Sequence, residues 1–418
     1  MHTERLLRTL LGDDFGGIRI EVYDGTEVGD PDSATTARIV SPDFFRRIVA
    51  GRGSELAFAR AFVAGDVLVD GEIYGVLTLR ERLGNISLDR QALADAAAVL
   101  ELRSPASLTS LRVPPPPEEI SISGVLHSRA RDAASISSHY DVSNEFYELF
   151  LDTSMTYSCA VFNDPTDTLE QAQFNKYDLI SRKLDLQPGM RLLDIGCGWG
   201  SMAIHAAQHY GAEVVGVTIS QEQHELARKR VALAGLDGQV EIRLQDYRDI
   251  PDAQFDRVSS IGMFEHVGEK RLGTYFEKID SVLVPGGRVL NHAINRTVQQ
   301  KRARVDPSGF MARYVFPDGE LLESGQVVSA MNQSGLEVRH LESLREHYAL
   351  TLREWVARLE DNWDKAVQLT SVGRARVWRL YMAASAEGFS SGELNLTQIL
   401  GVKPEKGVSQ MPLRQYWQ

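Results

Sequence analysis

From Met190 onward, short apolar runs alternate with longer stretches whose apolar residues recur three and four apart. "MRLLDIG" is a run closing at Gly196, and "SMAIHAAQHYG" behind it predicts a helix ending at Gly211. "EVVGVTIS" predicts a second strand, and "SQEQHELARKRVALAG" a second helix opened by a Ser220-x-x-Gln223 capping box. "VEIRLQD", "FDRVSSIG" and "GRVLNHAI" supply further strands, with "RLGTYFEKIDSVL" between the last two. Strand and helix alternating at this spacing predict an α/β fold, a mostly parallel, doubly wound, Rossmann-like sheet.

The chain ahead of this pattern reads differently. Residues 1–102 predict a small accessory α/β domain in which "LAFARAFVAGDVLVDGEIYGVLTLRERL" can pack but carries no catalytic constellation. "RSPASLTSLRVPPPPEEISISG" follows, and its four consecutive prolines can neither continue a helix nor join a central strand. Residues 103–124 are therefore read as a stiff linker, and 125–418 as the second domain.

Composition narrows the function. A chain of 418 residues, 43 % hydrophobic, has room for two domains. Its net charge of −12 argues against a nucleic-acid partner and opposes strong attraction to an anionic membrane. "MHTERLLRTLLGDDFGG" lacks the apolar core of a signal peptide, and no run is long enough to span a bilayer, so a cytoplasmic location is expected. Cys159 and Cys197 are too few for a disulfide scaffold or a structural zinc site, and no metal is expected.

"LLDIGCGWGS" places a Gly-x-Gly-x-Gly turn between a strand and a helix. Gly196, Gly198 and Gly200 allow close backbone approach to a ligand, and the helix N-terminus beyond favours an anionic group. A dinucleotide site usually reads G-x-G-x-x-G with an acid closing the second strand. Here Asp194 precedes the turn, where it suits a cationic amino group, and the second strand ends "VTISQEQ" with Thr218 and Gln223 as polar partners. S-adenosylmethionine fits this pattern better than NAD.

With these pieces assembled, the chain resembles the cyclopropane fatty acid synthase family of methyltransferases, closely over about 125–400 and loosely before. "HYDVSNEFYELFLDTSMTYSCAVF", "LDIGCGWG", "VTIS", "LQDYRD", "GMFEHVG", "RYVFPDGEL" and "HYALTL" match its motifs in order. The resemblance implies a class I methyltransferase sheet with helical insertions at a lipid site. It further implies transfer of the S-adenosylmethionine methyl group to the cis double bond of an unsaturated acyl chain (oleoyl) of a membrane phospholipid. The carbocation formed then loses a proton to a bound bicarbonate. A peripheral contact with the inner face of the plasma membrane follows, and the resemblance is compatible with a homodimer and a partner reductase.

Carried over position by position, the resemblance puts Cys159, Glu265, His292, Ile294 and Tyr348 around the bicarbonate. It puts Tyr157, Ser158, Asp194, Gly196, Gly198, Gly200, Thr218, Ser220, Gln223, Asp246 and Tyr247 around S-adenosylmethionine. In this reading Tyr157 and Ser158 cover the cofactor, and Cys159 is a wall of an anion pocket rather than a nucleophile. Cys197 is expected to pack as a small side chain.

Two features depart from the family pattern. Ala293 stands where better-known synthases have threonine, which makes that part of the pocket smaller and apolar. Arg296, Lys301, Arg302 and Arg304 then form a basic stretch, either a phospholipid headgroup patch or a solvated loop. The tail "GVKPEKGVSQMPLRQYWQ" resembles an actinobacterial subgroup that includes methyltransferases of the tuberculostearic acid pathway. Those leave a 10-methylene branch, which a partner reductase saturates. That product is favoured narrowly over the cyclopropane, the two sharing their early chemistry and parting at proton loss. A non-catalytic lipid-binding protein on the same fold is the competing class. A nucleic-acid or small-molecule methyltransferase would show a different motif where "IGMFEHVG" stands.

Overall fold

Behind an opening helix (His2–Leu11) come four short strands: β1 (Arg19–Val22), β2 (Glu27–Gly29), β3 (Thr36–Ile39) and, after the helices Asp43–Ala50 and Glu55–Ala64, β4 (Val67–Asp70). They form a sheet in the order β2-β1-β3-β4, with β1 and β3 parallel and the outer pairs antiparallel. Alternating burial turns Ile20, Val22, Ala37 and Ile39 into a core with Leu6, Leu7, Phe45 and Phe62 from the helices. The computed structural model describes residues 2–79, 90–102, 111–120, 142–251, 254–297, 306–414 and 417. The outer parts of the predicted linker and three of the basic residues, Lys301, Arg302 and Arg304, lie outside the described residues.

Two compact units divide the chain, and neither is continuous. The first comprises Met1–Ser121, Asp306–Pro317 and Trp363–Ala384; the second comprises Ile122–Val305, Asp318–Asn362 and Ser385–Gln418. The single linear boundary expected near the prolines therefore assigns two later segments differently from their packing. Specific bonds tie those segments into the first unit. Arg60 grips Glu119 through two bonds of 2.9 and 2.8 Å, the Tyr314 hydroxyl donates to the same carboxylate, and Ser371 donates to Glu118.

The second unit holds a seven-stranded sheet built from β5 (Arg191–Ile195), β6 (Glu213–Thr218), β7 (Val240–Leu244), β8 (Phe255–Ile261), β9 (Leu283–Arg296), β10 (Glu337–Ser343) and β11 (Leu394–Val402). Their order is β10-β11-β9-β8-β5-β6-β7. Strands β5 to β9 run parallel, and β11 lies antiparallel between β9 and β10. Both faces are covered, as a parallel sheet requires. Leu192, Val214, Leu290 and Leu400 face a core with the helices Leu169–Leu184, Ser201–Tyr210 and Gln221–Leu233. Leu193, Val215, Val258, Val289, Ala293 and Ile399 face a second core with the helices Leu272–Val282 and Ser324–Gln333.

This alternation corrects one expectation. Ala293 sits in the second core, on the face of β9 opposite His292 and Ile294, so its small size does not reshape their surroundings. The capping box is corrected as well. Ser220 accepts the Gln223 N–H at 3.2 Å, but the Gln223 side chain accepts from the Thr218 hydroxyl instead of returning to the Ser220 backbone.

Candidate active site

The residues expected to hold the cofactor gather where the parallel strands end. Gly196 (φ +74°), Gly198 (φ +54°) and Gly200 (φ +82°) turn the chain from β5 into the helix Ser201–Tyr210. A Cβ on Gly196 would stand 2.8 Å from the Met263 Cβ, so the turn requires glycine there for space as well as conformation. A cleft of about 1140 Å³, open mouth included, lies over this turn. Of the eleven predicted cofactor residues, nine line it: Tyr157, Ser158, Asp194, Gly196, Gly198, Thr218, Gln223, Asp246 and Tyr247. Gly200 and Ser220 are not on the lining and serve as N-caps of the two helices beside it.

The lining also includes three residues that sequence reading left out of the cofactor set. Arg248 holds Asp246 through its backbone N–H and Nε, both at 2.9 Å, and through Nη2 at 2.5 Å. Trp199 lies within the glycine turn and donates from its indole N–H to Asn144 at 2.8 Å. Cys197 both lines the cleft and packs inward, its Cβ and Sγ 3.0 Å from where a Cβ on Gly216 would be.

The segment ahead of Cys159 is held rigidly over the cleft. The Asp152 carboxylate accepts from the N–H groups of Ser154 and Thr156, each at 2.9 Å, and the Thr156 hydroxyl meets that of Tyr177 at 2.7 Å. The Tyr157 ring stacks on Trp355, with centroids 5.2 Å apart. Gln173 donates to the Ser158 carbonyl, and Lys176 donates from Nζ to the Ser158 hydroxyl, both at 2.9 Å. Lys176 is fully buried, and that burial lowers it to about 7 against the opposing pull of Asp152, Cys159 and Asp194.

Asp194 is a buried carboxylate that accepts the Ser259 hydroxyl at 2.7 Å. Burial raises it to about 6, while the Ser259 bond and Lys176 hold it down. Cys159 is wholly buried, its thiol donating to the Ala160 carbonyl at 3.2 Å and lying 3.8 Å from that of Leu344. Burial pushes this thiol upward, against formation of a nucleophilic thiolate. The Leu344 carbonyl also accepts from the N–H of Tyr348, whose ring packs against Trp355 and Phe389.

Glu265 lies in the turn after β8, and His292 and Ile294 point to one face of β9. The Ile294 N–H donates to Glu265 Oε1 at 2.7 Å, and Gly262 on the cleft lining donates its N–H to the His292 carbonyl at 2.9 Å. Glu265 Oε2 and His292 Nε2 are buried and have no hydrogen-bond partner among the described residues. Burial raises Glu265 to about 7 and drives His292 well below its ordinary value, assisted there by the fields of Lys176 and Lys183. Arg296, the one described member of the basic stretch, is mostly buried and pairs with Glu323 at 2.7 Å. It is not an exposed headgroup ligand.

A parallel sheet with a glycine turn after its first strand, a carboxylate closing that strand and a cleft at the carboxyl edge defines a class I S-adenosylmethionine-dependent methyltransferase. The structure of mycolic acid cyclopropane synthase CmaA1, solved with SAH and CTAB, matches with a TM-score of 0.61 at 33 % identity, covering 64 % of this chain and 97 % of that one. The chain belongs to the family described as mycolic acid cyclopropane synthetase, whose model matches residues 127–399. A relative from Mycobacterium tuberculosis, described as a probable fatty acid methyltransferase, is 43 % identical over 96 % of this chain and 95 % of its own length. The tuberculostearic acid methyltransferase UfaA1 of the same organism is 37 % identical over 91 % of this chain and 86 % of its own.

Proposed function

We propose that the protein transfers a one-carbon unit from S-adenosylmethionine to the cis double bond of an oleoyl chain in a membrane phospholipid. The product in this reading is a 10-methylene branch. The observation that carries it is the pair of bare, buried polar atoms, Glu265 Oε2 and His292 Nε2, set beside a cleft walled by Tyr157 and Trp199. Such atoms are costly to bury without partners. A bicarbonate has the matching chemistry, because its O–H can donate to Glu265 while its oxygens accept from His292.

S-adenosylmethionine would supply the electrophilic methyl group, and bicarbonate a base weak enough to coexist with it. The residues of this chain do the rest. The Gly196–Gly200 turn and Asp194 orient the donor, so that alignment supplies much of the rate. Tyr157 and Trp199 on the cleft lining would offer aromatic surface, and no strong nucleophile, to positive charge developing there. Glu265, His292 and the Cys159 segment would hold the anion, and Tyr348 shares the Leu344 carbonyl with Cys159.

The methylene product is favoured by the extensive match to a tuberculostearic acid methyltransferase. A partner reductase would then saturate it. In the second reading, favoured by the family description, proton loss from the transferred methyl closes a cyclopropane directly. The methylene route inserts a hydride shift between the two alkene carbons before that loss. No helix among the described residues is long and apolar enough to cross a membrane, so contact with the bilayer would be peripheral. Expression in a host rich in oleoyl lipids, with NMR of the extracted fatty acids, tests the proposal. Vinylic methylene protons are expected; upfield cyclopropane protons support the second reading, and unaltered oleate overturns both.

A further inference from the structure

Directly opposed residues form a row across three strands beside the proposed anion pocket. His292 on β9 faces Gln398 on β11, and Gln398 in turn faces Glu342 on β10. Lys183, fully buried near the end of the helix Leu169–Leu184, reaches into this row. Its ammonium donates to Glu342 and, at 2.6 Å, to Gln398 Oε1. The Gln398 amide nitrogen lies 3.1 Å from His292 Nδ1. Glu342 is partly exposed, so the row runs from solvent to the pocket.

The chemistry of these groups leaves one consistent arrangement. An ammonium only donates, so the atom of Gln398 facing Lys183 must be its carbonyl oxygen. The amide NH₂ is then turned toward the imidazole, and it too only donates. His292 Nδ1 must therefore accept, which puts the ring proton on Nε2, the atom left bare at the pocket.

We infer that Lys183 and Gln398 are positioning residues that fix His292 as the Nε2–H tautomer, presenting a single neutral donor to the anion. The inference rests on the proposed bicarbonate pocket for its purpose, but not for its geometry. A neutral imidazole is in keeping with the downward push on His292 from burial and from both lysines. The alternative tautomer would turn a lone pair toward an anionic guest and bring Nδ1–H against the amide hydrogens.

The test is long-range ¹H–¹⁵N correlation on the full chain labelled at histidine, which separates the two tautomers and the imidazolium by nitrogen shift. In the unsubstituted protein His292 is expected as Nε2–H from pH 6 to 9. An Nδ1–H or doubly protonated ring overturns the inference without recourse to any variant. In Gln398→Glu, a carboxylate still accepts from Lys183 but now also accepts from the imidazole, and the proton should move to Nδ1. Turnover should then fall about 10- to 100-fold, while S-adenosylmethionine affinity by calorimetry stays unchanged. A Gln398→Glu ring that keeps its Nε2–H overturns the inference too. The nitrogen shifts are read without lipid, so failure to modify oleoyl lipids would sink the proposed function and leave this result standing.

Discussion

Asp194 and Glu265 are both buried carboxylates at the carboxyl edge of one sheet, yet they are provided for differently. Asp194 accepts a hydroxyl from Ser259 and lies in the field of Lys176; Glu265 accepts one backbone N–H and leaves its second oxygen bare among the described residues. The glycine-turn side is thus largely satisfied within the protein. On the β8–β9 side Glu265 Oε2 and His292 Nε2 have no partner among the described residues, and there the proposed anion would bind. Cofactor affinity and chemistry should therefore be separable by mutation.

Glu265→Gln is the strongest way to break the comparison. Turnover should fall about a thousandfold, as for loss of a positioned acid–base group, with S-adenosylmethionine binding by calorimetry essentially intact. A parallel loss of cofactor affinity would erase the distinction between the corners. The same variant should be more stable than its parent at alkaline pH. Because burial raises Glu265 to about 7 in the fold, the folded state holds an extra proton between the ordinary glutamate value and about 7. Parent stability falls as pH rises through that window, and the penalty is complete above it. Urea titrations should show Glu265→Gln ahead by about 3 kcal/mol at pH 8 and level at pH 4.

On the other side, Gly196→Ala should weaken cofactor binding about 10- to 100-fold and destabilise the fold by about 1–3 kcal/mol, because it combines a positive φ with a clash against Met263. Gly198→Ala, where a Cβ meets nothing within 4 Å, should cost only about 1 kcal/mol. Equal effects at the two positions would mean that conformation, not space, sets the requirement. Lys176→Met bears on both corners through stability. Burial lowers Lys176 to about 7, so the unfolded state binds the extra proton from there up to the ordinary lysine range. Parent stability falls as pH drops through that window, and the variant should gain on it by about 1.4 kcal/mol per pH unit there. A pH-independent difference in denaturation midpoints would contradict a buried, titrating ammonium. Cys159→Ser should have the smallest effect: activity reduced but not abolished, and native enzyme inert to thiol alkylation.

The legible and illegible parts of the site differ in how far apart their partners lie along the chain. The turn at Gly196–Gly200, the helix behind it and the acid before it are neighbours in sequence, and local patterning was enough to place them. Glu265 and His292 are neighbours only through the β8–β9 pairing, so their grouping came from the family resemblance rather than from any period. Lys176, Lys183 and Gln398 escaped altogether. Lysines are ordinarily solvated, and Gln398 acquires its side-chain partners from one other strand and a distant helix. One signal was available: Gln173, Lys176, Ile180 and Lys183 recur at intervals of three, four and three, so they share a single helix stripe with an obligatory apolar residue.

That stripe has a further consequence for how such a chain can diverge. Lys176 supports the hydroxyl of Ser158 on the cleft, and Lys183 supports Gln398 behind the anion pocket. Both hang from one rigid rod, seven residues or about 10 Å apart. Inserting or deleting one residue between them would swing everything downstream by about 100° and carry Lys183 out of the row across the strands. Side chains on the outer surface of this helix are free to drift, whereas its residue count between the two lysines is fixed. Substitution and length change are thus under unequal constraint, and the length of this helix, more than its composition, is what descendants of this chain must inherit.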